Sequence, residues 1–466
     1  MKPLFRALKL LGILAVVTAL FAGMYLHPSW LWIVFFLVAY ILHGLLFADH
    51  IYYRRQSDYK WKIAGKDRQE AIFNGPELLL PESLRSGDHS VFLKVKVKAR
   101  LSGRLFDPAL RVLSEGQRYA QYFERGCKGF RYINLTPAIE GLKEAEALSL
   151  RGRHCHFSKE DAELVAFKKP DLVGKKVLYV SPHADDAEIA AFGLYKNTDS
   201  LVVTITAGEA EPETFGRYFS NSSNPNEREQ AAILKGRVRA WDSITVPQWA
   251  GLKSDQVVQL GYFCKHLKKM HESPEVQVTS EYAGVADTRI FREFNTVKLA
   301  SDSHGTSSWQ QLVDDLAELI SGFQPDYVVT PHIHVDAHQD HQYSTIAVRE
   351  AVAKSDCADV FVMFYANHLA NTDMHPYGPS GSLVSLPPVT GDEVNLSGAF
   401  SFSLNEVEQK DKIMALEMNH DLRRPVRWKK WLRKRLQKTL IKRYQPDYGE
   451  DEFFRKAVRA NELFFY

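Results

Sequence analysis

From Leu10 to Ala48 the chain carries no Asp, Glu, Lys or Arg, and this uncharged run of 39 residues constrains the N-terminal fold more than any other feature. About 20 apolar residues cross the ~30 Å hydrocarbon layer, so one straight helix would overshoot it. His27-Pro28-Ser29 interrupts the run, and a proline ends one helix or opens the next. The pattern predicts a transmembrane helical hairpin within residues 1–50, its spans at Lys9–Leu26 and Trp30–Phe47. Lys2, Arg6 and Lys9 precede it, Arg54, Arg55, Lys60, Lys62 and Lys66 follow it, and the turn between has no basic residue. Positive-inside logic places both termini, and everything after the hairpin, in the cytoplasm. The protein is thereby expected to be integral to the cytoplasmic (inner) membrane. A cleaved signal peptide is disfavoured, because a second apolar span follows the first at once.

A second local extreme lies near the other end. Residues 422–443 hold 11 Lys and Arg and no acid, although the whole 466-residue chain has a net charge of only +3. Trp428, Trp431, Leu432, Leu436 and Leu440 recur near helical spacing. A basic amphipathic helix of this kind lies on an anionic membrane surface. Membrane lipids are therefore expected partners through hairpin 10–48 and helix 422–443, and nucleic acid is not.

Between these extremes the patterning changes twice. Residues 51–75 are polar and mixed in charge and read as a juxtamembrane linker. In residues 76–168, Val91, Leu93, Val95, Val97, Ala99 and Leu101 alternate with Phe92, Lys94, Lys96, Lys98 and Arg100, the period of a half-buried strand. Short apolar runs at 110–113, 119–123, 130–135 and 147–150, punctuated by glycines, predict a small antiparallel β-sandwich-like domain. Adjacent strand positions point to opposite faces, so His154-Cys155-His156 does not read as a metal site. From residue 169 to 466, short continuous apolar runs at Val177–Val180, Leu201–Thr206, Tyr327–Thr330 and Phe361–Tyr365 alternate with helical patterns such as Glu227–Ala240 and Leu312–Ile320. That alternation predicts an α/β domain with a Rossmann-like parallel sheet, whose active site gathers beyond the carboxyl ends of its strands.

Chemistry-bearing residues stand at two such ends. After Val180 comes Ser181-Pro182-His183-Ala184-Asp185-Asp186-Ala187-Glu188, and after Thr330 comes Pro331-His332-Ile333-His334-Val335-Asp336-Ala337-His338-Gln339-Asp340-His341. Imidazole plus carboxylate suits Zn²⁺ with three protein ligands and an open position for water. His183 and Asp186 are three apart, as are His338 and His341, so each pair can face one ion. His332 and His334 are alternatives to His341, and His420 is a further candidate from the C-terminal region. Adjacent buried carboxylates need a cation or a proton, and a metal supplies the cation while leaving one carboxylate as a base.

His183-Ala184-Asp185-Asp186-Ala187-Glu188 resembles the H-[PA]-D-D-x-E signature of the PIG-L/LmbE family of zinc-dependent N-acetylglucosaminyl deacetylases. His338-Gln339-Asp340-His341 is similar to its H-x-D-H element, and Thr206-Ala207-Gly208-Glu209 to its T-x-G-E segment. The resemblance covers roughly residues 174–466. It implies that His183, Asp186 and His341 ligate Zn²⁺ and that Asp185 is the general base and then acid. It also implies that a protonated His338, oriented by Asp340, stabilises the oxyanion. Glu188 is implied as a supporting or helix-start carboxylate, and Glu209 and Arg228 as substrate-binding candidates. Arg228-Glu229-Gln230-Ala231 keeps the arginine of a family Arg-x-x-Glu segment and lacks its glutamate. Fe²⁺ binds the same N/O set. The expected activity is hydrolysis of the N-acetyl group of an N-acetylglucosamine-type sugar, carried on a glycoconjugate or lipid-linked precursor. A non-catalytic membrane scaffold of a glycan-assembly complex and another zinc amide hydrolase are the competing readings.

Overall fold

The computed structural model describes residues 18, 19, 22, 30–47, 51–142, 146–215, 224–357, 359–422, 428–440 and 452–466. Its largest sheet has seven strands, numbered here in chain order: β1 (Lys176–Ser181), β2 (Asp199–Thr206), β3 (Val257–Tyr262), β4 (Tyr327–Pro331), β5 (Phe361–Tyr365), β6 (Ala399–Ser403) and β7 (Asn461–Phe465). The spatial order is β3-β2-β1-β4-β5-β7-β6. The first five strands are parallel, and β7 joins β5 and β6 antiparallel. This is the expected doubly wound α/β arrangement. Three strands went unrecognised in the sequence: β3, and the pair β6 and β7, which interleaves distant parts of the chain.

Both faces of the sheet are covered, and alternate residues of β1 divide between them. Leu178 and Val180 enter a core with Leu312, Leu316 and Ile320 of the helix Trp309–Phe323 and Ala347 and Val348 of the helix Gln339–Lys354. Val177 and Tyr179 enter the opposite core with Phe192, Ile244, Ala415 and Phe464. Burial on both faces is why these strands read as unbroken apolar runs.

The helix after β1, Asp186–Lys196, breaks its regular dihedrals at Ala191. The Gly193 and Leu194 amides, just past this break, donate to the two oxygens of Glu462, at 2.9 and 3.0 Å. Lys412 Nζ binds the same carboxylate at 2.7 Å, and both side chains of this ion pair are 1% exposed.

Residues 68–168 form two five-stranded antiparallel sheets around one apolar core. His89–Ala99 is the hub of the first, paired to Lys128–Asn134 and Glu163–Lys168. Ala109–Ser114 lies between Gln117–Tyr122 and Ala147–Arg153 in the second. Leu93, Val95, Leu110, Val112, Leu148 and Leu150 meet between them.

One expectation needs correction. Residues 51–63 are no solvated linker: Ile51, Tyr53, Tyr59, Trp61 and Ile63 are buried with Val335, Leu386 and Phe465. Trp61–Ile63 pairs parallel with Val394–Leu396, and Trp61 stacks on Phe465 with centroids 5.7 Å apart. Alternate apolar residues hide within a polar-looking stretch, so mean composition concealed them. The transmembrane hairpin is left unsupported. Most of its first span and its turn lie outside the described residues. The second span is the single 18-residue helix Trp30–Phe47, about 27 Å long at 1.5 Å per residue. No helix among the described residues is long and apolar enough to cross a membrane. Of the basic segment, Trp428–Leu440 is helical; Arg423, Arg424, Arg427, Lys442 and Arg443 lie outside the described residues.

Removing one partner of a buried ion pair leaves the other charge stranded, at about 3–5 kcal/mol. Lys412→Met is expected to lower stability by that amount in chemical denaturation, and the double variant Lys412→Met/Glu462→Gln to be more stable than Lys412→Met alone.

Candidate active site

The loop after β1 is held from both sides. Pro182 O accepts from the Thr206 amide and hydroxyl at 3.0 and 2.9 Å, and Ser181 Oγ accepts from the Ala187 amide at 3.1 Å. A helix therefore starts at Asp186, with Asp185 as its non-helical flank. The loop after β4 turns into a second helix at Gln339, preceded by His338. These two helix starts face one another across the β1–β4 pair.

Two imidazoles, each backed by a carboxylate, converge on a third carboxylate. His183 Nε2 lies 3.2 Å from Asp340 Oδ2, and its Nδ1 lies 3.0 Å from Asp186 Oδ2. His341 Nδ1 lies 3.0 Å from Asp336 Oδ2, and its Nε2 lies 3.1 Å from the same Asp186 Oδ2. Asn367 Nδ2 binds the other Asp186 oxygen at 2.9 Å. Asp336 also accepts from the amides of Asn367 and His368 at 2.8 and 3.2 Å, tying in the loop after β5. His183, His338 and His341 present ring nitrogens within 4.8 Å of one another, as do His341, His368 and an Asp186 oxygen.

These residues fit a divalent ion. Asp186 is 2% exposed and His341 fully buried. The approach of His341 Nε2 to Asp186 lacks hydrogen-bond geometry, so this buried nitrogen has no hydrogen-bond partner among the described residues, and neither has His338 Nδ1. Imidazoles backed by carboxylates are the usual supported form of metal-binding histidine. His183, Asp186 and His341 would hold the ion, with His338 and His368 beside it.

The electrostatics follow from burial and pairing. Burial pushes the Asp186 carboxyl up, but His341 and His183 hold it well below its ordinary value. Burial raises Asp185, with Arg239 opposing. Burial, then the neighbouring His183 and His341, lower His338 to about 4. His368 is lowered to about 4 by burial and His341.

Asp340 does not orient His338. It backs His183 and accepts from the Lys265 amide at 2.7 Å. Glu209 is buried with both oxygens engaged by its own chain, through the Cys264 amide at 3.1 Å and Ser280 Oγ at 2.8 Å. It locks two loops together instead of facing substrate. Glu188 is buried against the Tyr195 hydroxyl, and burial raises it to about 7. Arg228 is exposed at the start of the helix Pro225–Trp249. The arginine of that helix at the site is Arg239, which donates to Asp185 Oδ1 at 3.2 Å and also pairs with Asp421. His332 and His334 are set apart: the His332 ring packs between Phe364 and Phe465 and accepts from the His334 amide. His420 is held by Asp242, 2.7 Å from its Nδ1, while its neighbour Asp421 reaches the site through Arg239.

Sequence reasoning missed Asp336, Asn367, His368, Arg239 and Asp421. Asn367 and His368 carried a signal, since they follow β5 directly. Arg239 carried none, because its partners come from distant loops. Loss of a carboxylate behind a ligating histidine costs 10–100-fold in metal affinity. Asp336→Asn is expected to weaken Zn²⁺ binding by about that factor in chelator competition.

Residues 178–352 match the family model described as PIG-L, GlcNAc-PI de-N-acetylase. No curated protein matches the chain. Among solved structures, the A40926 pseudoaglycone deacetylase Dbv21 is 15% identical with a TM-score of 0.33, over 63% of this chain and 96% of that one. The zinc-inhibited form of teicoplanin deacetylase Orf2 is 17% identical with a TM-score of 0.32, over 62% and 97%. N,N'-diacetylchitobiose deacetylase from Pyrococcus horikoshii is 17% identical with a TM-score of 0.31, over 63% and 86%. Likenesses this distant carry no conclusion about substrate. The match runs from β1 to the helix after β4 and takes in both histidine–aspartate loops, so residues 178–352 are similar to the PIG-L N-deacetylases at the segment that carries the site.

Proposed function

We propose that this chain is a membrane-anchored, zinc-dependent deacetylase that hydrolyses the N-acetyl group of an N-acetylglucosamine-type sugar on a glycoconjugate or lipid-linked precursor, at the cytoplasmic face. The observation that carries the reading is the convergence of His183 and His341 on Asp186, beside the unligated carboxylate of Asp185. The family model's description, a de-N-acetylase of a lipid-linked GlcNAc, supports the sugar and the carrier. For the anchor, Trp30–Phe47 contains no charged residue and leaves side chains such as Phe35 and Leu37 exposed. The positive residues flanking the apolar run support the orientation.

A bound divalent ion would lower the pKa of a water to about 7 and polarise the acyl oxygen. The remaining work falls to the chain. Asp185 takes the proton of the attacking water. Arg239 holds Asp185 Oδ1 and so fixes the direction of the carboxylate. The His338 imidazole, between His183 and His341, donates to the developing oxyanion, a contribution of ~3–4 kcal/mol for one well-placed donor. Asp185 then passes its proton to the amide nitrogen, the C–N bond breaks, and acetate and a free amino sugar leave.

Acetate release from free, nucleotide-linked and lipid-linked GlcNAc compounds tests the reading. Asp185→Asn is expected to lower the rate by about 10²–10⁴ while metal content stays stoichiometric. Chelation should abolish release and Zn²⁺ restore it; a chain that releases acetate from none of the compounds overturns the proposal. For the anchor, the chain should resist carbonate extraction from membranes, and protease should reach both termini from the cytoplasmic side only.

A further inference from the structure

The C-terminal end of the Trp30–Phe47 helix is docked, and what docks it forms the wall of a pocket far from the catalytic loops in sequence. Arg125, buried in the β-rich unit, reaches the Leu46 carbonyl with Nη2 at 3.4 Å and the Leu105 carbonyl with Nη1 at 3.3 Å. Gln437, on the basic helix Trp428–Leu440, donates to the Leu45 carbonyl at 3.0 Å. Last-turn carbonyls carry the negative end of the helix dipole and lack partners within the helix. A guanidinium and an amide from two distant segments supply them here.

Beside Arg125 lies an open pocket of about 320 Å³. Among the described residues its lining includes the basic side chains of Arg55, Lys98, Arg104, Arg125 and Lys128 and no acid. The frame is rigid. Arg55 donates to the Arg125 carbonyl at 3.1 Å, the Lys128 amide to the Arg55 carbonyl at 3.0 Å, and the Gly126 amide to the Gly103 carbonyl at 2.9 Å. Gly103 is required, since a Cβ there would collide with the His154 carbonyl. Arg125 also pairs with Asp107, 3.8 Å from its Nε.

The rim is apolar. In the loop 101–106, Leu101 is 82% and Leu105 49% exposed, while Phe106 turns inward onto the His154 ring. Two protruding leucines, a cluster of cations and the end of an uncharged helix thus meet at one place. Apolar side chains at the acyl boundary with cations at the phosphate level are the pattern of a membrane-surface contact.

We propose that this pocket binds the phosphate of an anionic lipid headgroup, with Leu101 and Leu105 dipping into the acyl boundary, so that the β-rich unit lies against the bilayer beside the anchor. The proposal rests on the membrane reading above but not on the deacetylase chemistry. The lipid source is favoured over a free anion because a soluble phosphate gives the exposed leucines no partner.

Hydrogen exchange of the full chain in neutral detergent tests it, with dihexanoylphosphatidylglycerol, dihexanoylphosphatidylcholine or inorganic phosphate as probes. Phosphatidylglycerol should protect amides 98–106 and 124–128, and the other two probes should not. Lys98→Glu/Arg104→Glu/Lys128→Glu, all at exposed positions, should lose the protection. Arg104→Gln alone should weaken apparent affinity about fivefold, the worth of one cation near an anionic surface. Equal protection by phosphatidylcholine or by inorganic phosphate, or protection that survives charge reversal, overturns the headgroup site. The readout needs neither metal nor turnover, and carbonate extraction reads the anchor separately. Failure of either proposed function therefore stays distinguishable from failure of this site.

Discussion

One carboxylate organises the catalytic unit. Asp186 sits fully inside the protein at the start of a helix, and two imidazoles from separate loops approach the same oxygen. Three buried aspartates, 186, 336 and 340, could not stay ionised there alone, because desolvation disfavours the charge. Pairing each with an imidazole, and giving Asp336 and Asp340 backbone amides as well, makes the cluster tolerable. It also aims ring nitrogens at a single point. The local requirement for charge balance and the chemical requirement for a metal cage are met by the same arrangement.

The scaffold supplies that point by topology. β1, β4 and β5 lie side by side and parallel, so the loops at their carboxyl ends emerge together and bring in His183 and Asp186, Asp336 and His341, and Asn367 and His368. Arg239 reaches across from the long helix after β2 to hold both Asp185 and Asp421. The kinked helix that begins with Asp186 is secured further along by Glu462 from the last strand. The C-terminal strand thereby supports the element that carries a ligand, although the two are nearly 280 residues apart. Segment 51–63 closes the same side by packing on Phe465, coupling the segment that follows the uncharged helix to the seven-stranded sheet.

Local pattern was legible where one physical signal dominated. The apolar runs of β1, β2, β4 and β5 were readable because both faces of a parallel sheet are buried. The period-two alternation of residues 91–99 was readable because its Lys94, Lys96 and Lys98 stand towards solvent. β3 was missed because Gln259 and Gly261 interrupt its apolar character, and both engage in internal hydrogen bonds that only the folded chain reveals. β6 and β7 were missed because their pairing partners are far away in sequence. Residues 51–63 looked like a linker because Arg54, Arg55, Lys60 and Lys62 flank buried aromatics one by one.

The amino-acid sequence by itself determined the chemistry available: histidines and aspartates three apart after two buried strands, an uncharged N-terminal run, and a basic segment near the end. Those are properties of composition and spacing, set before any packing. Only the tertiary structure decided how the parts are shared out. Asp340 serves His183 and not His338, Asp336 becomes the support of His341, Arg239 displaces Arg228 as the arginine at Asp185, and Glu209 is turned into a structural clamp. The reason is that a hydrogen-bond partner is chosen by distance and direction in space, and loops separated by 150 residues acquire both only when the sheet brings their ends together.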